Sequence, residues 1–493
     1  MTAPTVSDDP RAATDGQEPV SGVTLGVTLV LTLVAALVWA WAHQYSPYTG
    51  RFPAVPVAIG TFAAVQVLVP RARWRADRAL APGNVAVLLF GLQLVALPVL
   101  TMLSGPTPGS LPVLPDDRFI NQALLMQAAA YAAFAVGLCL LRARPIPNRL
   151  LPDAGANSAP VMLAASFVVI GGIGLFLAFP SVGALIDYFS GQGDVFSIPG
   201  ATSTLGEAAA SFLRPFLSIG LVIVWALLIM RRRPGRPMVV SQVAVALLLL
   251  AVSATYEYNR AAILIPLLGL LTAYSFTVKR VRMLRLMFVL VLLGTIGFQF
   301  GQYRQNYLGT QGGRISATDA GLTGPSDTIA DTVQLYGGGA QFWAVVIADT
   351  EAAGFHGGAT LVGSALLPVP ILGKPYRAGS GPVLYNEMLY GRSGITDQNI
   401  VFGAELYWNG GLLAVVAGYV LLGVAVRRLD DLVAGAQDPL AAYTWTYCGL
   451  WTATLVINSL SVLAQIVVYF MPPIVLIVLV ARLYRNRMPE AQP

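Results

Sequence analysis

Residues 208–230 read AAASFLRPFLSIGLVIVWALLIM, and residues 231–237 continue RRRPGRP. A helix needs about 20 predominantly apolar residues to cross the hydrocarbon core of a bilayer. This run supplies them, interrupted only by Arg214 and Pro215. The arginines that follow at once are what the cytoplasmic end of a span carries. Working outward, comparable runs lie at 22–42, 53–70, 84–103, 121–141, 159–179, 238–255, 260–277, 284–301, 409–426, 438–456 and 459–481. The expected fold is therefore all-α, a polytopic integral membrane protein with about twelve transmembrane helices. The runs are continuous rather than alternating, which excludes a membrane β-barrel.

Composition agrees. The 493 residues are 56% hydrophobic and 11% charged, with a mean hydropathy of +0.68. A water-soluble chain of this length has no core large enough to hide so much apolar surface. A soluble enzyme, a nucleic-acid binder and a disordered protein are excluded on that count. The net charge of +6 fits loops facing anionic lipid rather than nucleic acid. Cys139 and Cys448 both fall in apolar runs, so no disulfide framework or thiolate metal site is expected. Asp8, Asp9, Asp15 and Glu18 outnumber Arg11 before the first run, so that run is expected to stay as an anchor rather than be cleaved as a signal peptide.

The basic residues sort the connections into two sets. One set holds 21 of the 30 Lys and Arg, at Arg11, 71–78, 142–149, 231–236, 279–285, 427–428 and 482–487; the other holds 7. The excess marks the cytoplasmic side, with both termini on it. The predicted organisation is a cytoplasmic tail over 1–21, spans over 22–301, a large extracytoplasmic loop over 302–408, further spans over 409–481 and a cytoplasmic tail over 482–493. So long a loop is usually functional. Its stretches 339–349 and 358–372 are partly apolar and too short to span, and they are expected as interfacial or re-entrant helices. No internal repeat with matched broken helices is visible, which counts against a secondary transporter.

Candidate site residues gather externally and late. Arg260 opens a span after Tyr256-Glu257-Tyr258-Asn259. It reads either as a guanidinium for a lipid diphosphate or as a snorkelling helix end. Arg214, inside a span beside Pro215, reads as a second phosphate ligand or an interfacial arginine. Lys374 and Arg377 lie in the Pro/Gly-rich PVPILGKPYRAGSGP of 368–382 and read as a phosphate clasp or a plain surface turn. Tyr303, Arg304 and Asn306 leave a span as a polar, aromatic face, which reads as a sugar-binding surface or as an aromatic belt at the interface. Glu405, ahead of Tyr407, Trp408 and Asn409, reads as a general base for a sugar hydroxyl or as a helix N-terminal acid. Asp397 and Glu387 are its rivals. His43 and His356 are isolated, and no cluster has metal-ligand spacing.

The Asn259-Arg260 opening of a span, the long late loop, the PVPILGKP turn of 368–375 and the FGAELYWNGG stretch of 402–411 together resemble the Wzy-type O-antigen/exopolysaccharide repeat-unit polymerases. Arg392 and Gly403 also match an Arg–Gly spacing found in some members. The resemblance implies metal-independent glycosyl transfer, with no cofactor, at the external face of a bacterial plasma membrane. It implies a growing chain on undecaprenyl diphosphate as donor and a single lipid-linked repeat unit as acceptor. Arg214, Arg260, Lys374, Arg377 and Arg392 would stabilise the leaving diphosphate, Glu405 or Asp397 would be the base, and Tyr303, Arg304, Asn306, Tyr407 and Asn409 would hold sugar. A chain-length regulator and a flippase would be its partners in the pathway, and no nucleic acid. The rivals are an O-antigen ligase-like transferase, which uses the same donor, and a lipid-linked oligosaccharide flippase or polysaccharide transporter. A transferase with an acidic pair in its first external loop is disfavoured, because HQYSPYTGRF (43–52) has no acid. A structural assembly protein is the blandest alternative.

Overall fold

The computed structural model describes residues 49–72, 80–106, 111, 115–142, 144–151, 158–190, 205–230, 236–256, 260–277, 295, 333–334, 337–370, 372–391 and 398–487. The regular structure among them is helical, apart from one isolated bridge between Asn148 and Ala436. In chain order they form α1 (Val55–Leu68), α2 (Pro82–Ser104), α3 (Asp117–Leu140), α4 (Ala159–Ala178), α5 (Val182–Ser190), α6 (Leu205–Met230), α7 (Arg236–Ala254), α8 (Arg260–Thr277), α9 (Ala340–Ala353), α10 (Ala359–Leu366), α11 (Gly381–Tyr390), α12 (Phe402–Ala434), α13 (Pro439–Ala453), α14 (Leu460–Phe470) and α15 (Pro472–Arg487). Among the described residues five helices are long and apolar enough to cross a membrane, or six if α14 and α15, bent by 51° at their junction, make one span. The expected spans 22–42 and 284–301 lie outside the described residues, Thr295 apart.

Two apolar cores organise the bundle. One joins α1, α2, α3 and α9 to the first half of α12 around Phe90, Tyr131, Trp343 and Tyr419. The other joins α4, α6, α7, α8, α13 and the α14–α15 junction around Phe167, Trp225, Tyr447 and Trp451. Glycines set the closest approaches. A Cβ on Gly137 of α3 would overlap the backbone of α12 at Val420, and one on Gly423 of α12 would overlap α3 at Phe134. Gly171 and Gly174 of α4 accept the backbone of α6 at Leu217 and Arg214 in the same way.

Connections with many arginines meet at one end of the bundle. Gly83 N donates to Asp430 Oδ1 at 3.1 Å, and Leu150 N to Asp438 Oδ2 at 2.7 Å. At the other end Arg51 Nη2 binds Asp117 Oδ1 at 2.8 Å, and Arg118 pairs with Glu351 at 3.1 Å.

The region expected as an external loop enters the bundle. Gly337, Gly338 and Gly339 turn beside Gln93, near the middle of α2, and Gln127, near the middle of α3. Both glutamines donate to Gly338 O, at 3.3 and 3.1 Å. From that apex α9 returns to the arginine-poor end, where Glu351 meets Arg118. Two other unwound segments reach the same level. Gln93 Nε2 also donates to Val456 O at 3.0 Å, and Phe402 N to Asn458 O at 2.8 Å.

The 33 residues of α12 are not one straight rod. Gly410 (φ −158°, ψ 22°) and Gly411 (φ 63°, ψ −154°) leave helical geometry. The rings of Phe402 and Tyr419 stand 5.9 Å apart, whereas a straight helix would hold those positions roughly 25 Å apart. Leu406 lies against Gly418. Residues 402–409 thus fold back on 412–434, and only the second arm, roughly 34 Å long, has the length of a crossing. The apolar run beginning at 409 hid this reversal, because glycines at a turn and glycines at a packing face look alike in sequence.

Two outcomes follow. In a background with Cys139 and Cys448 replaced by serine, Leu406→Cys with Gly418→Cys should oxidise to a disulfide in the membrane; absence of the cross-link would restore a straight α12, which separates the two by roughly 18 Å. Gly423→Leu should cost about 3 kcal/mol or more in unfolding by denaturing detergent, because backbone stands in the way, while Gly172→Ala, which meets no atom within 4 Å, should stay within about 0.5 kcal/mol.

Candidate functional site

Glu405 sits one turn into the 402–409 arm and is fully buried. Ser364 Oγ, on α10, donates to Glu405 Oε1 and accepts from Gly381 N at 3.0 Å. The N–H of Leu460, opening α14, also faces the carboxylate. A Cβ on Gly381 would overlap Glu405 Oε1, so glycine is required at that approach. One turn on, Asn409 Nδ2 donates to Thr360 Oγ1 at 2.6 Å, and Gly358 N donates to Asn409 Oδ1 at 2.9 Å. Two residues four apart on the arm thus face two residues four apart on α10, and this pairing zips the elements together.

The basic turn hangs from the same unit. Lys374 and Arg377 are exposed on a short turn after α10. Ser380 N and Oγ donate to Arg377 O at 3.1 and 2.8 Å, and the next residue is Gly381. Arg377, Ser380, Gly381, Ser364 and Glu405 therefore form one chain of backbone and hydroxyl contacts from an exposed cation to a buried acid. Asn386 and Gln398 exchange hydrogen bonds of 2.7 and 2.9 Å, which fastens the chain on either side of 392–397 to this unit.

Arg214 is held elsewhere. Its side chain is fully buried, its guanidinium lies 4.0 Å from the Tyr256 ring centroid, and Nη1 donates to Thr255 O at 3.0 Å. It therefore packs against the turn that leads into Arg260 at the start of α8. Tyr256 in turn packs on Phe470, the last residue of α14, with ring centroids 4.9 Å apart. Glu405 is at the first residue of α14, so α14 separates Arg214 from Glu405 by roughly 15 Å. Arg214 and Glu405 thus sit at opposite ends of α14.

The structure thus brings Glu405, Asn409, Lys374 and Arg377 into one unit, with Tyr407 half-buried on the same arm, and leaves Arg214 outside it. The side chain of Arg260, and all of Arg392, Asp397, Tyr303, Arg304 and Asn306, lie outside the described residues. Glu405 is fully buried, and its carboxylate accepts a hydrogen bond from Ser364 Oγ on α10. Among the described residues no three His, Cys, Asp or Glu gather as a metal site.

No protein-family model, no curated protein and no solved structure matches the chain.

Ser364 and Thr360 were not legible as site residues. Their four-residue spacing is visible on α10, but nothing in sequence says which distant helix it faces. Glu405→Ala strands Ser364 Oγ and the Leu460 N–H, and should lower stability by about 2–3 kcal/mol. Glu405→Gln keeps an acceptor and should recover most of it; equal losses in a detergent-unfolding series would refute the clamp.

Proposed function

We propose that the chain is a glycan polymerase of the Wzy type, joining undecaprenyl-diphosphate-linked oligosaccharide units by metal-independent transfer at the external face of a bacterial plasma membrane. The twelve-span layout with cytoplasmic termini belongs to the same proposal. One observation carries it: an exposed basic turn, Lys374 to Arg377, is fixed through Ser380, Gly381 and Ser364 to a buried acid instead of hanging free. A turn whose backbone is anchored carries Lys374 and Arg377 at one place in the fold, and two neighbouring cations suit a diphosphate.

In this reading Lys374 and Arg377 hold the donor diphosphate, and Arg392 joins them. Asp397, next to the fastened Gln398, takes the proton of the acceptor hydroxyl. The hydroxyl oxygen bonds to the donor's anomeric carbon, the bond from that carbon to the diphosphate oxygen breaks, and the lipid diphosphate leaves with its charge matched. Arg214 stands apart from this site, against Thr255 and Tyr256 at the end of α7. A ligase-like transferase would use the same donor site. A flippase is favoured by a different observation, the unwound segments meeting at Gly338 in mid-bundle, which is where transporters place their sites.

Lys374→Ala with Arg377→Ala should cut polymer at least about tenfold, one charge-assisted contact being worth about 1.5–3 kcal/mol, at unchanged protein level. Lipid-linked single units should accumulate on the outer leaflet. Undiminished polymer would sink the proposal, and units trapped on the inner leaflet would make the protein a flippase.

A further inference from the structure

We infer that the turn at 354–358 is a platform for a neutral sugar ring, lined by Phe355, His356 and Asp349 over Trp408. The inference rests on the lipid-linked glycan reading above and names where the glycan's distal part lies. Gly354, Gly357 and Gly358 have φ of 87°, 59° and 94°, and an added Cβ on any of them would meet nothing within 4 Å. Glycine is thus required by the backbone path and not by crowding. That path holds Phe355 58% exposed, at 6.1 Å and 67° to Tyr407. It also sets His356 edge-on against Trp408, with ring centroids 4.5 Å apart, while His356 N donates to Trp408 O at 2.9 Å.

Trp408 is buried and its Nε1 donates to Asp349 Oδ2 at 2.7 Å. Among the described residues Asp349 Oδ1 and both His356 ring nitrogens have no hydrogen bond. An exposed aromatic face beside a fixed carboxylate oxygen and an imidazole matches the two sides of a pyranose, its apolar C–H face and its rim of hydroxyls. The platform precedes α10 and the Lys374–Arg377 turn follows it, so the two flank a helix roughly 11 Å long. A glycan whose diphosphate sits on the basic turn would reach the platform with residues beyond its reducing end.

The test uses purified full-length protein in nanodiscs with two probes: bare undecaprenyl diphosphate, and the lipid-linked repeat unit extracted from a strain lacking this protein. The wild type should bind the glycan-bearing lipid at least about tenfold more tightly than the bare one. Phe355→Ala with His356→Ala should bring the two within about twofold and leave the bare lipid unchanged. Equal weakening of both lipids, or none of either, would overturn the platform and leave Phe355 as a membrane anchor. Wild-type protein that holds both lipids equally would also overturn it. Failure of the wild type to bind either lipid would instead reject the transferase reading, and the platform with it.

Discussion

A peptide group inside hydrocarbon must find its hydrogen bond within the protein, since no water is there to supply one. Three breaks in regular helix among the described residues, near Gly338, Val456 and Phe402, meet that demand. The apex at Gly338 exposes a carbonyl in mid-bundle, and Gln93 and Gln127 both donate to it. The same Gln93 amide serves Val456, where α13 has ended. Asn458 O accepts from Phe402 N, so one broken segment satisfies another. Gln93 itself sits in a π-helical turn, Leu92–Ala96, which rotates its side chain relative to a regular helix.

From those breaks the site region takes its form. α9 rises from the glycine apex, the 402–409 arm rises from the same level, and α10 descends between them and α14. Each is too short to be stable alone. Their stability comes from one another, through the Ser364–Glu405 and Thr360–Asn409 pairs and through the packing of Trp343 and Tyr419 against Gly403. The exposed cations and the aromatic turn stand at the two ends of this unit because α10 separates them.

Much of the helical layout was readable from apolar runs alone. The runs 159–179, 208–230 and 260–277 coincide with α4, α6 and α8 to within a few residues, because a helix bounded by charged or Pro/Gly-rich ends has no other way to satisfy its backbone. The late region was less readable. Its two short apolar stretches mark α9 and α10, yet α11 went unseen behind polar Asn386 and Glu387, the first of which meets Gln398 only once the chain has folded. Arg214 illustrates the same limit. Its burial could be anticipated from its place in a span, but not its distance from Glu405, which is set by α14 and by no local pattern.

The polar pairs of the folded-back arm also carry a consequence for how the protein is made. Glu405, Asn409, Ser364 and Thr360 are poor passengers in lipid when separate and acceptable only when matched. Unmatched burial of Glu405 or Asn409 costs more than burial of the matched pairs, so entry of the arm among the apolar helices is coupled energetically to its docking on α10.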